Sequence, residues 1–422
     1  MTQITRRRFT AGALAATGLL AAPAVARGAG KPRLVVIGGG PAGATVAKYV
    51  AKDSQGAIDV TLVEPLAAFV TCFHSNLYLG GFKDWKQITH PYKLASYGVK
   101  HVRQKAVGID RDKRVVKLAD GKSLPYDRLV VAPGIDLKFD SVPGWSEAAA
   151  EIMPHAWKPG KQTQLLKKQL DALEDGATIV MIAPPNPYRC PPGPYERASC
   201  MAHVLKAKGH TKSRIVIIDP KDRFSKMAAF QDGWQKHYPG MIEWMDPNMH
   251  GGIKAVDPNT MTVTTDLESI KANLVNVIPA QMAGGIARDA GLANETGYCP
   301  IDATNMKSMV DPNIYVLGDA SIAGAMPKSA FAANSQAKVV AMMVRGELAG
   351  ARTFPARYAN TCWSVIETDD TIKVGGRYEA KDGKITEIEG FVSKPGEDAA
   401  TRRQTSEENI GWYSGITADI FS

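Results

Sequence analysis

The sequence predicts an α/β fold with two Rossmann-like dinucleotide-binding domains and a C-terminal α+β segment. Three observations carry this. Arg33–Ala47 reads as an apolar strand, a GxGxxG turn (Gly38, Gly40, Gly43) and a helix that opens with Pro41 and Ala42. Val60–Glu64 follows as a second strand ending in an acid, the order of a βαβ unit whose acid meets a ribose. A second apolar strand, Ala177–Ile182, begins another such unit, and strand-like segments far downstream, Tyr126–Gly134 and Asn313–Ala320, return to the first. At 422 residues and 45% apolar composition the chain has material for two or three cores. The organisation expected is 1–30 as an export signal, 31–145 with 278–350 as a discontinuous first domain, 146–277 as the second, and 351–422 as a third, C-terminal domain.

The N-terminus reads Thr5-Arg-Arg-Arg-Phe-Thr10, then a short Ala- and Gly-rich apolar stretch and Ala24-Val-Ala26, the pattern of a twin-arginine export signal. That stretch is too short to span a bilayer. The expectation is a folded, cofactor-loaded protein exported to the periplasm. Four of the nine net positive charges are Arg6, Arg7, Arg8 and Arg27, which leaves +5 on the mature chain, spread and not striped. Nucleic-acid binding is not indicated. The five cysteines, Cys72, Cys190, Cys200, Cys299 and Cys362, include no CxxC and no CxxCH, so neither a structural zinc site nor an internal c-type haem is offered and no metal is expected.

The second strand leads into Ala183-Pro-Pro-Asn-Pro-Tyr-Arg-Cys-Pro-Pro-Gly-Pro-Tyr-Glu-Arg-Ala198. A phosphate-cradling turn needs glycines and free backbone N–H groups, and prolines remove those donors. The slot for NAD(P)H is therefore read as rebuilt into a stiff loop that presents Cys190. In the first domain Tyr126–Gly134 ends in Ala132-Pro-Gly134, and this strand resembles the second sheet contact of flavoproteins with two dinucleotide-binding domains. Asn313–Ala320 resembles their C-terminal flavin motif, in which Gly318 and Asp319 hold the ribitol. Lys328–Met343 reads as a helix whose N-terminal dipole faces the flavin. These segments predict FAD, with Gly38, Gly40, Pro41, Ala42, Gly43, Glu64, Val107, Ala132, Gly134, Gly318, Asp319, Lys328 and Trp412 as cofactor contacts.

Phe69-Val-Thr-Cys-Phe73, Arg189-Cys-Pro-Pro-Gly-Pro-Tyr-Glu-Arg-Ala198, Gly318-Asp-Ala-Ser321, Met326-Pro-Lys-Ser329, Ala333-Asn-Ser-Gln336, Asn360-Thr-Cys362 and Trp412-Tyr413 stand together. With these motifs the chain, from about residue 31 to its end, resembles the flavoprotein subunit of flavocytochrome c sulfide dehydrogenase. That places it among FAD-dependent pyridine nucleotide-disulfide oxidoreductases of the glutathione-reductase type. The resemblance implies that Cys72 carries the flavin as an 8α-S-cysteinyl thioether. It also implies that Cys190 and Cys362 form a redox disulfide over the ring, attacked by hydrosulfide, with the electrons passing through FAD to a c-type cytochrome in a heterodimer. The domain over 351–422 is implied by the same resemblance to be the flavin cover and cytochrome interface. Cys362 is expected nearer the flavin, with Cys190 carrying the sulfur. Glu196, six residues after Cys190, is either the proton handler or simply a first-turn helix acid. Cys200 and Cys299 read as buried free thiols. The alternatives are a sulfide:quinone oxidoreductase and a flavoprotein accessory or reactivating partner of a sulfur-oxidising complex. The former would want amphipathic, lipid-facing C-terminal helices, whereas Thr405–Ser422 reads as short and polar.

Overall fold

A computed structural model describes residues 30–422. The export signal expected over 1–30 lies outside the described residues, apart from Gly30.

Five short apolar strands make the first sheet, all parallel, in the spatial order Ile314–Val316, Arg128–Val131, Arg33–Ile37, Asp59–Val63 and Lys100–Val102. The four strands other than the edge strand Lys100–Val102 are mostly buried, which is why they read as Val/Leu/Ile-rich runs. Helix Pro41–Ser54, rich in Ala and Val, packs along helix Ala330–Ala349 on this sheet. The second sheet has four parallel strands in the order Ile242–Met245, Arg214–Ile218, Thr178–Ile182 and Leu274–Val277. Its two faces fill separate apolar clusters, one under helices Lys161–Asp171, Gly193–Ala207 and Met227–His237 and the other around Trp145 and Met153.

The C-terminal segment is an antiparallel sheet of Arg357–Glu367, Asp370–Lys381 and Lys384–Val392, followed by helix Ala399–Phe421. It builds no core of its own. Tyr358, Tyr378, Ile416, Ile420 and Phe421 belong to the core of the first sheet, and Ile366 and Ile372 to that of the second. Pro32–Ser422 is one compact unit for this reason.

The last residues differ from their reading as a short polar end. They form the last part of a 23-residue helix whose Tyr413, Ile416, Thr417, Ile420 and Phe421 are buried. Those positions recur at i, i+3, i+4 and i+7, an apolar stripe diluted by Ser, Thr and Gly. The stripe faces protein: Phe421 stacks on Phe69 at 5.4 Å, and Lys48 donates to the carbonyls of Ala418 and Asp419.

Candidate active site

Two adjoining cavities lie where the layers meet, of about 970 and 710 Å³, and Cys72, Arg189, Ser329 and Ala330 line both. The larger one is walled by Gly38, Gly40, Pro41, Ala42, Glu64, Ala132, Gly134, Gly318 and Asp319, so most of the predicted cofactor contacts converge. The glycines are there for close approach. A Cβ on Gly43 would stand 1.9 Å from the Gly38 carbonyl oxygen, and Gly38 has φ +97 with a would-be Cβ 2.3 Å from the Ala132 carbonyl oxygen. Helix Pro41–Ser54 starts with Gly40 as its N-cap and no side-chain cap, so its first N–H groups face the cavity bare. Glu64, held by N–H groups of Gly39 (2.9 Å) and Leu66 (3.0 Å), closes the far end. Asp319 is enclosed, burial pushes its carboxyl pKa up, and its Oδ1 has no partner. A buried orphan acceptor, a bare helix N-terminus and a carboxylate after the second strand are what the ribitol, pyrophosphate and ribose of FAD would satisfy. The residues fit the cofactor.

Of the other predicted contacts, Gly43 lies beneath the Gly38 turn and Trp412 lines only the smaller cavity, while two are not at the site. Val107 is 53% exposed. It sits at an irregularity of register between Ala106 and Gly108 in an antiparallel edge strand, and lines neither cavity. The extra residue there turns its side chain outward. Lys328 also lines neither cavity. Its ammonium donates to the carbonyls of Asp319 (2.9 Å) and Ser321 (2.7 Å) over the Tyr298 ring, so it pins the Asp319 turn from behind. The helix expected from Lys328 begins at Ala330, with Ser329 capping the Ala332 N–H.

The smaller cavity gathers the predicted sulfur site. Cys72 comes from the turn before helix Ser75–Leu79, Cys190 from the proline-rich loop, Cys362 from strand Arg357–Glu367, and Trp412 from the C-terminal helix. Three segments far apart in sequence thus bring three thiols to one cavity. All five cysteines are free thiols in this structure, so the expected Cys190–Cys362 bond is not formed, although both line the same space. Cys200 and Cys299 are fully buried elsewhere, as their sequence context suggested.

Cys190 adopts φ +57, unusual for a side chain with a Cβ, and its N–H donates to the Lys328 carbonyl at 2.8 Å. A Cβ on Gly193 would stand 2.9 Å from Cys190 Sγ, so this glycine makes room for the sulfur. Burial drives the Cys190 thiol pKa well up, with the neighbouring Cys362 and Glu196 adding to it. Burial also raises Cys362, but the Asn360 side chain works against the rise: its Nδ2 lies 3.5 Å from Cys362 Sγ. Glu196 is 8% exposed, in the first turn of helix Gly193–Ala207. Its Oε2 accepts from Asn76 Nδ2 (2.9 Å) and its Oε1 from the Val365 N–H (3.0 Å), and burial lifts its pKa above the usual carboxylate value. It is a first-turn acid and lines the thiol cavity as well, so the two readings of this residue coexist.

Sequence reasoning missed the frame behind these groups. Arg197 is 1% exposed. It donates to Asn76 Oδ1, Asn276 Oδ1 and the carbonyls of His155 and Ala156, tying three segments together under the cavity. Arg189 reaches within 3.8 Å of Asp319, and Lys226 donates to the Cys362 carbonyl. Arg189 and Arg197 flank Cys190 and Glu196 in the chain, but nothing local reveals where a long side chain points.

The second dinucleotide unit is closed from within. The acid after its second strand, Asp219, is fully buried and bound to Tyr195 Oη (2.5 Å), Trp244 Nε1 (3.0 Å) and Lys221 Nζ (2.6 Å). Among the described residues its oxygens are already taken, so none is left to read the adenosine ribose of a bound NAD(P)H, and the loop before Tyr195 holds the prolines.

Three family profiles match the chain. "Pyridine nucleotide-disulphide oxidoreductase" covers residues 32–171, "Sulfide dehydrogenase [flavocytochrome c] flavoprotein chain, central" covers 163–279, and "Flavocytochrome c sulphide dehydrogenase, flavin-binding" covers 354–421. The chain belongs to the flavocytochrome c sulfide dehydrogenase flavoprotein family. It is 57% identical over 47 residues, 11% of its own length and 96% of the other, to the sulfide dehydrogenase [flavocytochrome c] flavoprotein chain of Chlorobaculum thiosulfatiphilum. It is 22% identical over 321 residues to the mitochondrial sulfide:quinone oxidoreductase of Dictyostelium discoideum, spanning 73% of this chain and 69% of that one. The Mus musculus counterpart is 21% identical over 68% of this chain and 65% of its own. The fold matches the sulfide:quinone oxidoreductase of Aquifex aeolicus with a TM-score of 0.69 at 16% identity over 92% of both chains. It matches putidaredoxin reductase, in its covalent complex with putidaredoxin, with a TM-score of 0.65 at 18% identity over 89% and 93%. Membership of this family implies FAD, in agreement with the cradle. Among the described residues no helix is long and apolar enough to cross a membrane, and no cluster of His, Cys, Asp and Glu could hold a metal.

Proposed function

We propose that this flavoprotein is the catalytic subunit of a periplasmic sulfide dehydrogenase that delivers electrons to a c-type cytochrome. The observation that carries the reading is the convergence of Cys72, Cys190 and Cys362 on one cavity adjoining the FAD cradle. In the oxidised enzyme Cys190 and Cys362 are a disulfide. Hydrosulfide attacks it: one S–S bond breaks, one forms, and the products are a cysteine persulfide and a thiolate. Glu196, whose pKa burial already raises, takes the proton of the incoming sulfur nucleophile. A second sulfur nucleophile releases the persulfide sulfur and leaves the dithiol. Bound FAD supplies the two-electron acceptor that returns the dithiol to the disulfide. Cys72 holds the cofactor covalently, a reading supported by its lining both cavities; Trp412, beside Trp363 (5.1 Å) and Phe331, covers the site.

A cytochrome acceptor, in place of a membrane quinone, is supported by the C-terminal helix, whose Ile416, Ile420 and Phe421 are committed to the protein core, which leaves Ile410 as its one large exposed aliphatic side chain. The test is anaerobic addition of sulfide to the purified protein. The flavin band bleaches with sulfide, and the colour returns with a c-type cytochrome faster than with a soluble quinone. Flavin that dithionite reduces but sulfide leaves unmoved refutes the function. Faster return with the quinone refutes the acceptor. For the covalent link, flavin colour stays with acid-precipitated wild-type protein and is lost from Cys72→Ala; colour that washes off the wild type removes the thioether.

A further inference from the structure

Lys226 is a buried ammonium without a counter-ion. It is 6% exposed, and its Nζ donates to three neutral oxygens: Ser364 Oγ (2.8 Å), the Cys362 carbonyl (3.1 Å) and the Ile372 carbonyl (3.3 Å). Among the described residues no carboxylate comes within salt-bridge range of it. Its backbone is unfavourable as well. Lys226 is the N-cap of helix Met227–His237 with φ +63, which places a cation at the positive end of a helix dipole in a left-handed conformation that suits glycine. A buried, unpaired charge is strongly destabilising unless something neutralises it. The groups that face it are Cys362 from strand Arg357–Glu367, Glu196 from helix Gly193–Ala207, Cys190 from the proline loop, and the Phe230 ring from its own helix. Of the thiols, Cys362 acts on it most strongly, and burial lowers the Lys226 pKa to about 8.

The two thiols are not equivalent. Cys362 Sγ has Asn360 Nδ2 at 3.5 Å, and that amide is oriented by Ser329 Oγ donating to Asn360 Oδ1 at 2.5 Å. Among the described residues Cys190 Sγ has no such amide donor; the charge that favours its thiolate is Arg189, whose guanidinium is also drawn to Asp319 (3.8 Å) and donates to the Trp157 carbonyl.

We propose that Lys226 and Asn360 are positioning residues that hold negative charge on Cys362, so that a sulfur nucleophile adds to Cys190 and Cys362 departs as the thiolate. The inference rests on the disulfide reading above and assigns its direction. The step balances: hydrosulfide and the disulfide give Cys190 persulfide and Cys362 thiolate, with no net change in electron count. Exchange favours the leaving sulfur whose thiolate is better stabilised, and Lys226 gains the counter-ion it lacks.

The test reads Cys362 directly, in FAD-loaded Cys190→Ser protein with Cys72 intact. The pH dependence of alkylation at Cys362 is followed by peptide mass spectrometry. An opposite charge nearby shifts a thiol by one to three pK units, so Lys226→Met moves the Cys362 profile up by at least about one unit. Its alkylation at pH 7 then slows at least tenfold. Lys226→Arg restores most of the rate, which a purely structural role would not require. If Lys226→Met does not fold, Asn360→Ala, which removes the other donor, replaces it and shifts the profile in the same direction. An unchanged profile in the variant used overturns the proposal. In wild-type protein, one equivalent of sulfide followed by rapid trapping puts the persulfide on Cys190; a persulfide on Cys362 also overturns it. Alkylation does not depend on sulfide being the substrate, so failure of the functional reading and failure of this one are separable.

Discussion

Replacing Glu196 by glutamine isolates the proton-accepting role of that carboxylate. The side chain is held at both oxygens, by Asn76 Nδ2 and by the Val365 N–H. Asn76 cannot rotate its amide to suit a glutamine, because its Oδ1 accepts from Arg197 Nε (3.1 Å) and its Nδ2 also donates to the Gly193 carbonyl (3.0 Å). Whichever way Glu196→Gln turns, its new NH2 faces another donor, and one hydrogen bond to a charged group is lost, worth about 1.5–3 kcal/mol. Removing a buried charge whose pKa was already raised offsets much of this. The net stability change is about 1 kcal/mol, and the protein stays folded. Catalysis responds differently: loss of a positioned general base costs about 10²–10⁴ in rate, roughly 3–5 kcal/mol of barrier. The assay is stopped-flow reduction of the flavin by sulfide between pH 6 and 9, with a thermal melt as the folding control. A melt close to wild type with bleaching slowed a hundredfold or more is the expected result. Bleaching within threefold of wild type across the whole range would refute the assignment and leave Glu196 as a first-turn helix acid only.

Three further outcomes are expected. Gly43→Ala puts a methyl 1.9 Å from the Gly38 carbonyl, so the purified protein loses most of its flavin absorbance. Gly411→Ala, where a Cβ meets nothing within 4 Å, keeps it, and equal loading of the two variants would contradict the cradle. Buried His74 and His155 have their pKa values lowered to about 3, chiefly by burial. The folded state therefore holds them neutral, and their contribution is complete above the unfolded value near 6.5 and lost as pH falls toward 3. Between pH 7 and 5 each histidine withdraws about 2 kcal/mol. The urea midpoint drops accordingly, less steeply in His74→Gln; a flat midpoint would show that these histidines titrate normally. NADH and NADPH leave the flavin oxidised, because Asp219 is already saturated by Tyr195, Trp244 and Lys221; rapid bleaching by either would mean the second unit opens.

The sequence determined the pieces whose meaning is local. Gly38 and Gly43 sit between an apolar strand and a small-residue helix because the backbone there leaves no room for a Cβ, and that constraint is written in nearly consecutive residues. The prolines around Cys190 say, by the N–H groups they lack, that no phosphate lies there. The resemblance to the flavoprotein family then joined Cys72, Cys190 and Cys362, a pairing that no spacing rule yields. The apolar stripe of the last helix was present but thinned by Ser, Thr and Gly, and it read as polar until the first core was seen to cover it.

What tertiary structure alone decided is direction and company. It turned Val107 outward and sent the Lys328 ammonium behind the Asp319 turn, since a side chain's aim depends on which neighbours fill the space beside it. It closed the second nucleotide unit with Asp219, Tyr195 and Trp244, three residues from three different elements. It set Arg197 beneath the cavity and Lys226 beside Cys362, with no carboxylate among the described residues in salt-bridge range of that lysine. Charges so placed are legible only after folding, because burial and the absence of a counter-ion are properties of the assembled interior and not of any stretch of chain.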